Sequence, residues 1–135
     1  MQPGKPVLVA RHTDGRFAVG LPGNPVSVLA TAQLILAPVI GRFWRGWQPQ
    51  SFDLPLACDW RHAKKRRLFL PARLIDGGVE PIRWNGSGDL LAAASGDGLV
   101  EFLPQTARQA GDLVRFFPSI GGPLGERGQL PPRSA

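Results

Sequence analysis

One long apolar segment constrains the fold more than any other feature of this sequence. Residues 25–47 read PVSVLATAQLILAPVIGRFWRGW and are apolar on most sides, with helix-forming residues throughout. A helix that is apolar on all sides is normally buried against other elements. The β-like segment before it is too short to cover it. We therefore expect some of its packing partners to lie outside this chain or to come from a second chain.

The corner that opens this helix, GLPGNPVS over residues 20–27, is a candidate anion site. Asn24 suits a helix N-cap, and Pro25 suits the first helical position, where no N–H is needed. Free amides and the positive end of the helix dipole attract anions there. Gly23 permits a close approach to the backbone, and Ser27 adds a hydroxyl. The alternative is a plain strand-to-helix connection.

The rest of the chain is divided into short pieces by 17 glycines and 14 prolines, which favours strands and turns over a helical bundle. Asp14-Gly15 predicts a hairpin turn between strands over 6–10 and 17–21. Pro38 predicts a kink or break in the long helix. Pro71 predicts an edge strand or a bulge. Further strands are predicted over 51–60, 66–75, 79–84, 98–104 and 112–118, with a turn at 76–78 and a short helix over 90–95.

The chain therefore divides near residue 48. Residues 1–47 form an α/β part, residues 50–118 form a small, mostly β domain, and we expect the Gly/Pro-rich residues 119–135 to be disordered.

Two further segments have the residue types of an anion site. Lys5 lies between two prolines in PGKP, which hold it on a stiff, extended segment. The loop NGSGD precedes the short helix, so its amides and the Ser87 hydroxyl are candidate donors, with Asp89 as N-cap or first-turn acid. An ordinary solvated lysine and a plain capped loop remain the alternatives.

The net charge of +6 favours an anionic partner, without deciding which one. The run RHAKKRR, residues 61–67, together with Trp60 and Trp84, predicts a small basic nucleic-acid-binding module as the alternative function. A solvated loop is the other interpretation of the same run.

No catalytic constellation is recognisable. His12 and His62 are isolated, and no spacing typical of metal ligands or of a nucleophile with its base occurs. Cys58 is the single cysteine, so no internal disulfide can form. The longest apolar stretch, residues 26–40, is shorter than the roughly 20 residues that cross a bilayer, and no secretory signal is visible. We expect a soluble, cytoplasmic protein with no metal ligands of its own.

Together these segments resemble the C-terminal portion of the MoeA family, the molybdopterin molybdenumtransferases, to which the E domain of gephyrin also belongs. The resemblance covers roughly residues 1–118, and GLPGNPVS is its most specific part. It is carried by QPGKPVLVAR, FAVGLPGNPVSVLATAQLILAPVI, RRLFLPARL, NGSGDLLAAASGDGLVEFLP and AGDLVRFF.

The resemblance implies a fold and a reaction. The fold is the end of a three-layer, molybdopterin-binding α/β domain, followed by a β-clip or barrel-like β domain. The reaction inserts molybdate into adenylylated molybdopterin, requires magnesium and is carried out by a homodimer. The implied contacts with pterin phosphate and molybdate are Lys5, Pro22, Gly23, Asn24 and Ser27, with Gly86, Ser87 and Gly88 at the rim of the same cleft.

The departures from the family pattern also matter. Gln2 replaces the first lysine of the usual Lys-Pro-Gly-Lys-Pro motif, which removes a cation. Leu68 and Pro71 stand where the family usually has a glutamate and then a basic residue. The family's acidic, cation-binding stretches precede the region of resemblance. We therefore expect a C-terminal fragment that is inactive alone, with unknown catalytic residues.

Overall fold

The computed structural model describes residues 7–43, 50–83 and 89–119. The strands are β1 Leu8–Arg11, β2 Phe17–Gly20, β3 Phe52–Pro55, β4 Trp60–His62, β5 Leu68–Ile75, β6 Gly78–Pro81, β7 Gly98–Phe102, β8 Thr106–Arg108 and β9 Leu113–Pro118. The helices are α1 Pro25–Thr31, α2 Ala37–Phe43 and α3 Leu90–Ala94, with a π-helical turn Ala32–Leu36 between α1 and α2.

The chain begins with the predicted β-hairpin. β1 and β2 pair antiparallel from Leu8 opposite Gly20 to Arg11 opposite Phe17. The turn is closed by the His12 N–H donating to the Arg16 carbonyl at 2.8 Å, and Gly15 has a φ of +90°. A φ in this range strains any residue with a Cβ, which explains glycine there. Both strands are largely exposed.

Of the kink or break predicted at Pro38, the break does not occur, because the helix continues past this residue. The Ala37 N–H donates to the Ala32 carbonyl, five residues back, and α2 then runs on to Phe43. A proline has no N–H to donate and its ring crowds the carbonyl four residues earlier. A π turn is a known way to accommodate such a defect without breaking the helix.

A five-stranded antiparallel sheet follows, in the order β3-β9-β7-β5-β6. Its core is formed by nine buried side chains, Leu54, Leu56, Leu70, Ala72, Val79, Val100, Phe102, Val114 and Phe116. β4 pairs with β8 in a separate two-stranded ladder. The sequence pattern did not predict β8, because three residues are too few to show an alternation. The described chain is thus a small α/β unit with a curled antiparallel sheet.

The prediction of an edge strand or a bulge at Pro71 is wrong. β5 is continuous over Leu68–Ile75 and lies between β7 and β6, and Pro71 is fully buried. The ladder tolerates the proline because β6 ends at Pro81, just before the position opposite Pro71. The Pro71 carbonyl still accepts a bond from the Ile82 N–H at 2.8 Å, and only the reciprocal bond is lost.

The long helix packs on this sheet. Val26 and Ala30 form a buried cluster with Leu99 of β7, flanked by Leu34, Ala93 and Phe117. The division near residue 48 stays a prediction, but the α/β part and the sheet share this apolar contact. Most of the predicted disordered tail, all but Ser119, lies outside the described residues.

The helical stretch Pro25–Phe43 is 19 residues long, and it is long and apolar enough to cross a membrane by length and composition alone. The longest apolar stretch in the sequence pattern, residues 26–40, is shorter than this helical stretch. Core helices of soluble proteins meet the same criterion, so the finding is weak. Here the helix has one face against the sheet through Val26 and Ala30.

Candidate functional site

The corner between β2 and α1 folds as its sequence predicts. Asn24 has extended dihedrals, φ −80° and ψ 125°, and its side chain caps the helix. Its Oδ1 accepts from the N–H groups of Val26 and Ser27, each at 3.1 Å. Pro25 occupies the first helical position and has no N–H to satisfy. The predicted cap is therefore confirmed.

This capping determines what the corner can offer an anion. The Val28 N–H already donates to the Asn24 carbonyl at 2.9 Å, in addition to the two amides held by the Asn24 side chain. In this conformation the first-turn amides are therefore engaged within the corner. An oxyanion would have to take the place of the Asn24 carboxamide oxygen to receive them.

Pro22 and Gly23 give the corner one closed side and one open side. Pro22 is buried, whereas Gly23 is exposed. A Cβ built on Gly23 would meet no atom within 4 Å. The backbone at Gly23 is thus open to a ligand, and the neighbouring proline anchors it.

Ser27 faces the interior rather than the open side. Its relative exposure is 7%, beside the buried Val26 and Thr31. Its carbonyl accepts from the Thr31 hydroxyl at 2.7 Å. The corner therefore presents Gly23 and Asn24 to solvent more directly than it presents the Ser27 hydroxyl.

Gln33 fixes the corner's helix to the sheet, and the sequence prediction did not single it out. Its Nε2 donates to the carbonyls of Phe117 at 2.8 Å and Pro118 at 2.7 Å, at the end of β9. The available signal was a lone amide inside an apolar helix. Such a group needs a partner when it is removed from water.

Of the predicted anion segment NGSGD, residues 85–89, the structure describes only Asp89. Asp89 caps α3, and its Oδ1 accepts from the Ala92 N–H at 3.0 Å. α3 packs against α1. Lys5, Gly86, Ser87 and Gly88 lie outside the described residues. Of the candidate contacts, Pro22, Gly23, Asn24 and Ser27 are therefore found together at the corner.

The described residues hold no group of three or more His, Cys, Asp or Glu side chains suited to a metal ion. Trp60, which the nucleic-acid alternative requires for stacking, is stacked on Phe102 instead, with ring centroids 5.5 Å apart. Its partner in that alternative, Trp84, falls outside the described ranges.

Comparisons with known proteins show which families and proteins this chain resembles. Residues 53–118 match the family described as the MoeA C-terminal region (domain IV). A molybdopterin molybdenumtransferase of Synechocystis sp. is 31% identical over 127 residues, which is 86% of this chain and 29% of that protein. The molybdenum cofactor synthesis protein cinnamon of Drosophila melanogaster is 47% identical over 141 positions, covering 99% of this chain and 21% of that protein.

A solved structure has the same fold. The molybdopterin biosynthesis MoeA protein from Pyrococcus horikoshii superposes with a TM-score of 0.69 and 28% identity, over 87% of this chain and 29% of that chain. The chain thus spans less than a third of the length of these relatives. None of these relatives is named as a nucleic-acid-binding protein.

Proposed function

We propose that this chain, whose residues 53–118 match the MoeA C-terminal region, acts in molybdenum cofactor biosynthesis as part of a molybdopterin molybdenumtransferase. In this role the corner at Gly20–Ser27 forms one wall of the pocket for molybdopterin phosphate and molybdate. The observation that carries the proposal is the family match, in a region whose sheet packs directly against the helix that the corner opens.

The proposed reaction transfers molybdenum from molybdate to adenylylated molybdopterin, with release of AMP, in the cytoplasm and as a homodimer. Magnesium would assist by neutralising phosphate charge. Within the described ranges no cluster of carboxylates suits such an ion. The magnesium ligands in this proposal therefore come from outside the described residues.

The corner contributes positioning and hydrogen-bond donation rather than a reacting group. Gly23 leaves room for an oxyanion beside the backbone. Exchange of the Asn24 carboxamide for the anion would then present the amides of Val26 and Ser27 to it. Lys5 is the proposed cation of this wall, and Gly86, Ser87 and Gly88 are its proposed rim. The packing of α3 on α1 supports that grouping.

Ligand binding tests the wall directly. We expect Gly23→Val to weaken molybdopterin binding by about tenfold or more, because a branched side chain fills the open side. Its fold should be retained, since a Cβ at this position meets no atom within 4 Å. Ala57→Val, at an exposed position of the sheet region, is the matched control. Isothermal titration with molybdopterin gives the affinities, and equal affinities for the two variants would refute the assignment.

Turnover tests the dependence on a complementing region. We expect no molybdenum insertion by the 135-residue chain alone. Activity should appear when the preceding part of the Synechocystis relative is added as a separate chain. Cofactor formed from adenylylated molybdopterin and molybdate is the measured product. Insertion by the isolated chain would overturn the prediction that it is inactive alone.

A further inference from the structure

A second surface, which the proposed function does not use, consists of Arg61–Arg67, the end of β4 and the turn that follows it. We name these residues the basic loop. Five cations in it are exposed, Arg61, Lys64, Lys65, Arg66 and Arg67. Arg67 pairs with Glu101, with Nη1 and Oε1 3.1 Å apart. Among the described residues, the other four form no ion pair with a carboxylate. The loop therefore concentrates uncompensated positive charge.

Two anchors hold this loop in a fixed conformation. His62 has a relative exposure of 4%, and its Nε2 lies 2.5 Å from the Arg66 carbonyl oxygen. Because a carbonyl only accepts, Nε2 carries the proton of this bond. The Gln105 N–H donates to the Lys64 carbonyl at 3.1 Å, and Gln105 itself has a left-handed φ of +53°. A loop ordered in advance loses less conformational entropy on binding.

The loop borders a groove on the ladder of β4 and β8. The groove has a volume of about 340 Å³ and is lined by Arg61, His62, Ala63, Gln105, Thr106 and Ala107. Arg61 and Ala107 lie opposite each other in the ladder, and both are exposed. Methyl groups, a guanidinium and an amide thus line one small surface. Such a mixture suits side chains of a polypeptide better than bare phosphate.

Trp60, which begins β4 beside this surface, argues against bases as its ligand. Proteins that bind single strands stack the bases on exposed aromatic rings. Trp60 is half-buried, and its ring lies against Phe102 at an interplanar angle of 21°. Its Nε1 is buried within the described structure without a hydrogen-bond partner. Trp60 is therefore part of the packing and offers no stacking platform.

We propose that the basic loop and the adjoining groove bind an acidic segment of a partner protein. Carboxylates of that segment pair with the cations of the loop, and its other side chains enter the groove. The two strands of the ladder pair only with each other among the described residues, so each has a second edge. An extended segment can align along such an edge.

This surface is separate from the corner. β7 joins the two regions, since Leu99 packs against α1 whereas Phe102 stacks with Trp60. The five residues Gly98–Phe102 span roughly 13 Å at the usual rise of a strand. The proposal does not depend on the molybdenumtransferase function and can fail or succeed independently of it.

Three variants of the full chain test the proposal. The loop variant combines Lys64→Glu, Lys65→Glu and Arg66→Glu. The groove variant is Ala107→Phe, which fills the groove without changing the charge. The control combines Arg42→Glu, Arg73→Glu and Arg83→Glu, which makes the same charge change at exposed positions elsewhere. Circular dichroism checks that all three retain the fold.

The probes are a fluorescein-labelled peptide of alternating glutamate and valine and a labelled oligothymidylate of equal charge. We expect the peptide to bind the parent chain more tightly than the oligothymidylate, with an affinity that falls as salt rises. The loop variant should weaken peptide binding about 100-fold and the groove variant about tenfold, whereas the control should change it less than about threefold.

Several results would overturn the proposal. If the peptide does not bind, the surface is not a docking site for acidic segments. If the oligothymidylate binds at least as tightly and Ala107→Phe leaves peptide binding unchanged, the loop is a general polyanion surface. An equal loss in the control variant would show that only the net charge matters.

Discussion

At the scale of single residues, Gly98 and Gly23 have different structural roles. A Cβ on Gly98 would collide with the Phe117 carbonyl and approach the Phe116 ring to 2.5 Å. A Cβ on Gly23 would meet nothing within 4 Å. The first glycine is therefore required by packing, whereas the second leaves an open surface. The sequence alone does not distinguish them.

We expect Gly98→Ala to destabilise the chain by about 1–3 kcal/mol or more, because the backbone must shift to relieve the overlap. Gly23→Ala is the control and should change the free energy of unfolding by less than about 0.5 kcal/mol. Urea denaturation followed by circular dichroism measures both. Equal stability of the two variants would show that the sheet accommodates a methyl group at Gly98.

Asn24 is the residue on which the corner depends most directly. Asn24→Ala removes the acceptor of two first-turn amides and should cost about 1 kcal/mol of unfolding free energy. Asn24→Asp retains an acceptor and should restore most of that loss. Urea denaturation of both variants gives the comparison. If alanine and aspartate proved equally stable, the capping bonds would contribute nothing measurable.

At the scale of elements, short turns and caps are held by local polar contacts. In the β1–β2 turn, Asp14 accepts from the Arg16 Nε at 2.6 Å and from the Arg16 N–H at 3.0 Å. The side-chain bond to Arg16, followed by the backbone bond, lowers the pKa of Asp14 below its ordinary value. This element therefore has a built-in dependence on pH.

The direction of this pH dependence follows from the linkage between proton binding and folding. A carboxyl whose pKa is lowered in the folded state stabilises that state above its unfolded pKa, and the contribution disappears as pH falls through the folded pKa. We expect the hairpin to lose this contribution as pH falls below 3.8, the ordinary pKa of an aspartate carboxyl. Amide chemical shifts of β1 and β2 report this change. Asp14→Asn should show a smaller change over that range, and an unchanged profile would exclude Asp14 as its source.

The junction of helix and sheet depends on Gln33. Gln33→Met keeps the length of the side chain but removes both donors to β9, and we expect a loss of about 1 kcal/mol. Hydrogen exchange should accelerate in the π turn and at the end of β9, with little change in β5. Gln33→Glu is a second variant and should be at least as destabilising, because a carboxylate then faces two carbonyls. Unchanged exchange in Gln33→Met would show that apolar packing alone holds the junction.

At the scale of the whole molecule, burial is unevenly distributed. The five-stranded sheet encloses the main core, whereas β1 and β2 have no buried residue. Leu8 and Phe43 are 64% and 69% exposed. An isolated two-stranded hairpin is marginally stable in water. The described structure thus combines a stable sheet with a weakly supported hairpin.

We therefore expect amide hydrogen exchange to separate the two regions. Amides of β7 and β9 should exchange only by global unfolding, whereas those of β1 and β2 should exchange by local opening at least about 100-fold faster. Mass spectrometry of peptic fragments measures both. Similar protection in the two regions would show that an additional contact supports the hairpin.

The local elements and the corner follow from residue types that lie close together along the chain. Asp14-Gly15 fixes a turn because the backbone there needs a positive φ, and Asn24-Pro25 fixes a helix start because the side chain replaces missing backbone partners. These interactions span a few residues and leave a readable pattern. The predicted contacts of the corner with molybdate and molybdopterin phosphate stay a prediction.

How these elements combine depends on contacts that form only in the folded chain. Pro71 lies inside the sheet because β6 ends before reaching it, and Pro38 lies inside a helix because a π turn precedes it. Gln33 closes the junction with the end of β9. The placements of Pro71 and Gln33 depend on atoms distant in sequence. The π turn before Pro38 depends on a change in hydrogen-bond register that apolar periodicity does not show. The pattern of residue types along the chain specifies none of these outcomes.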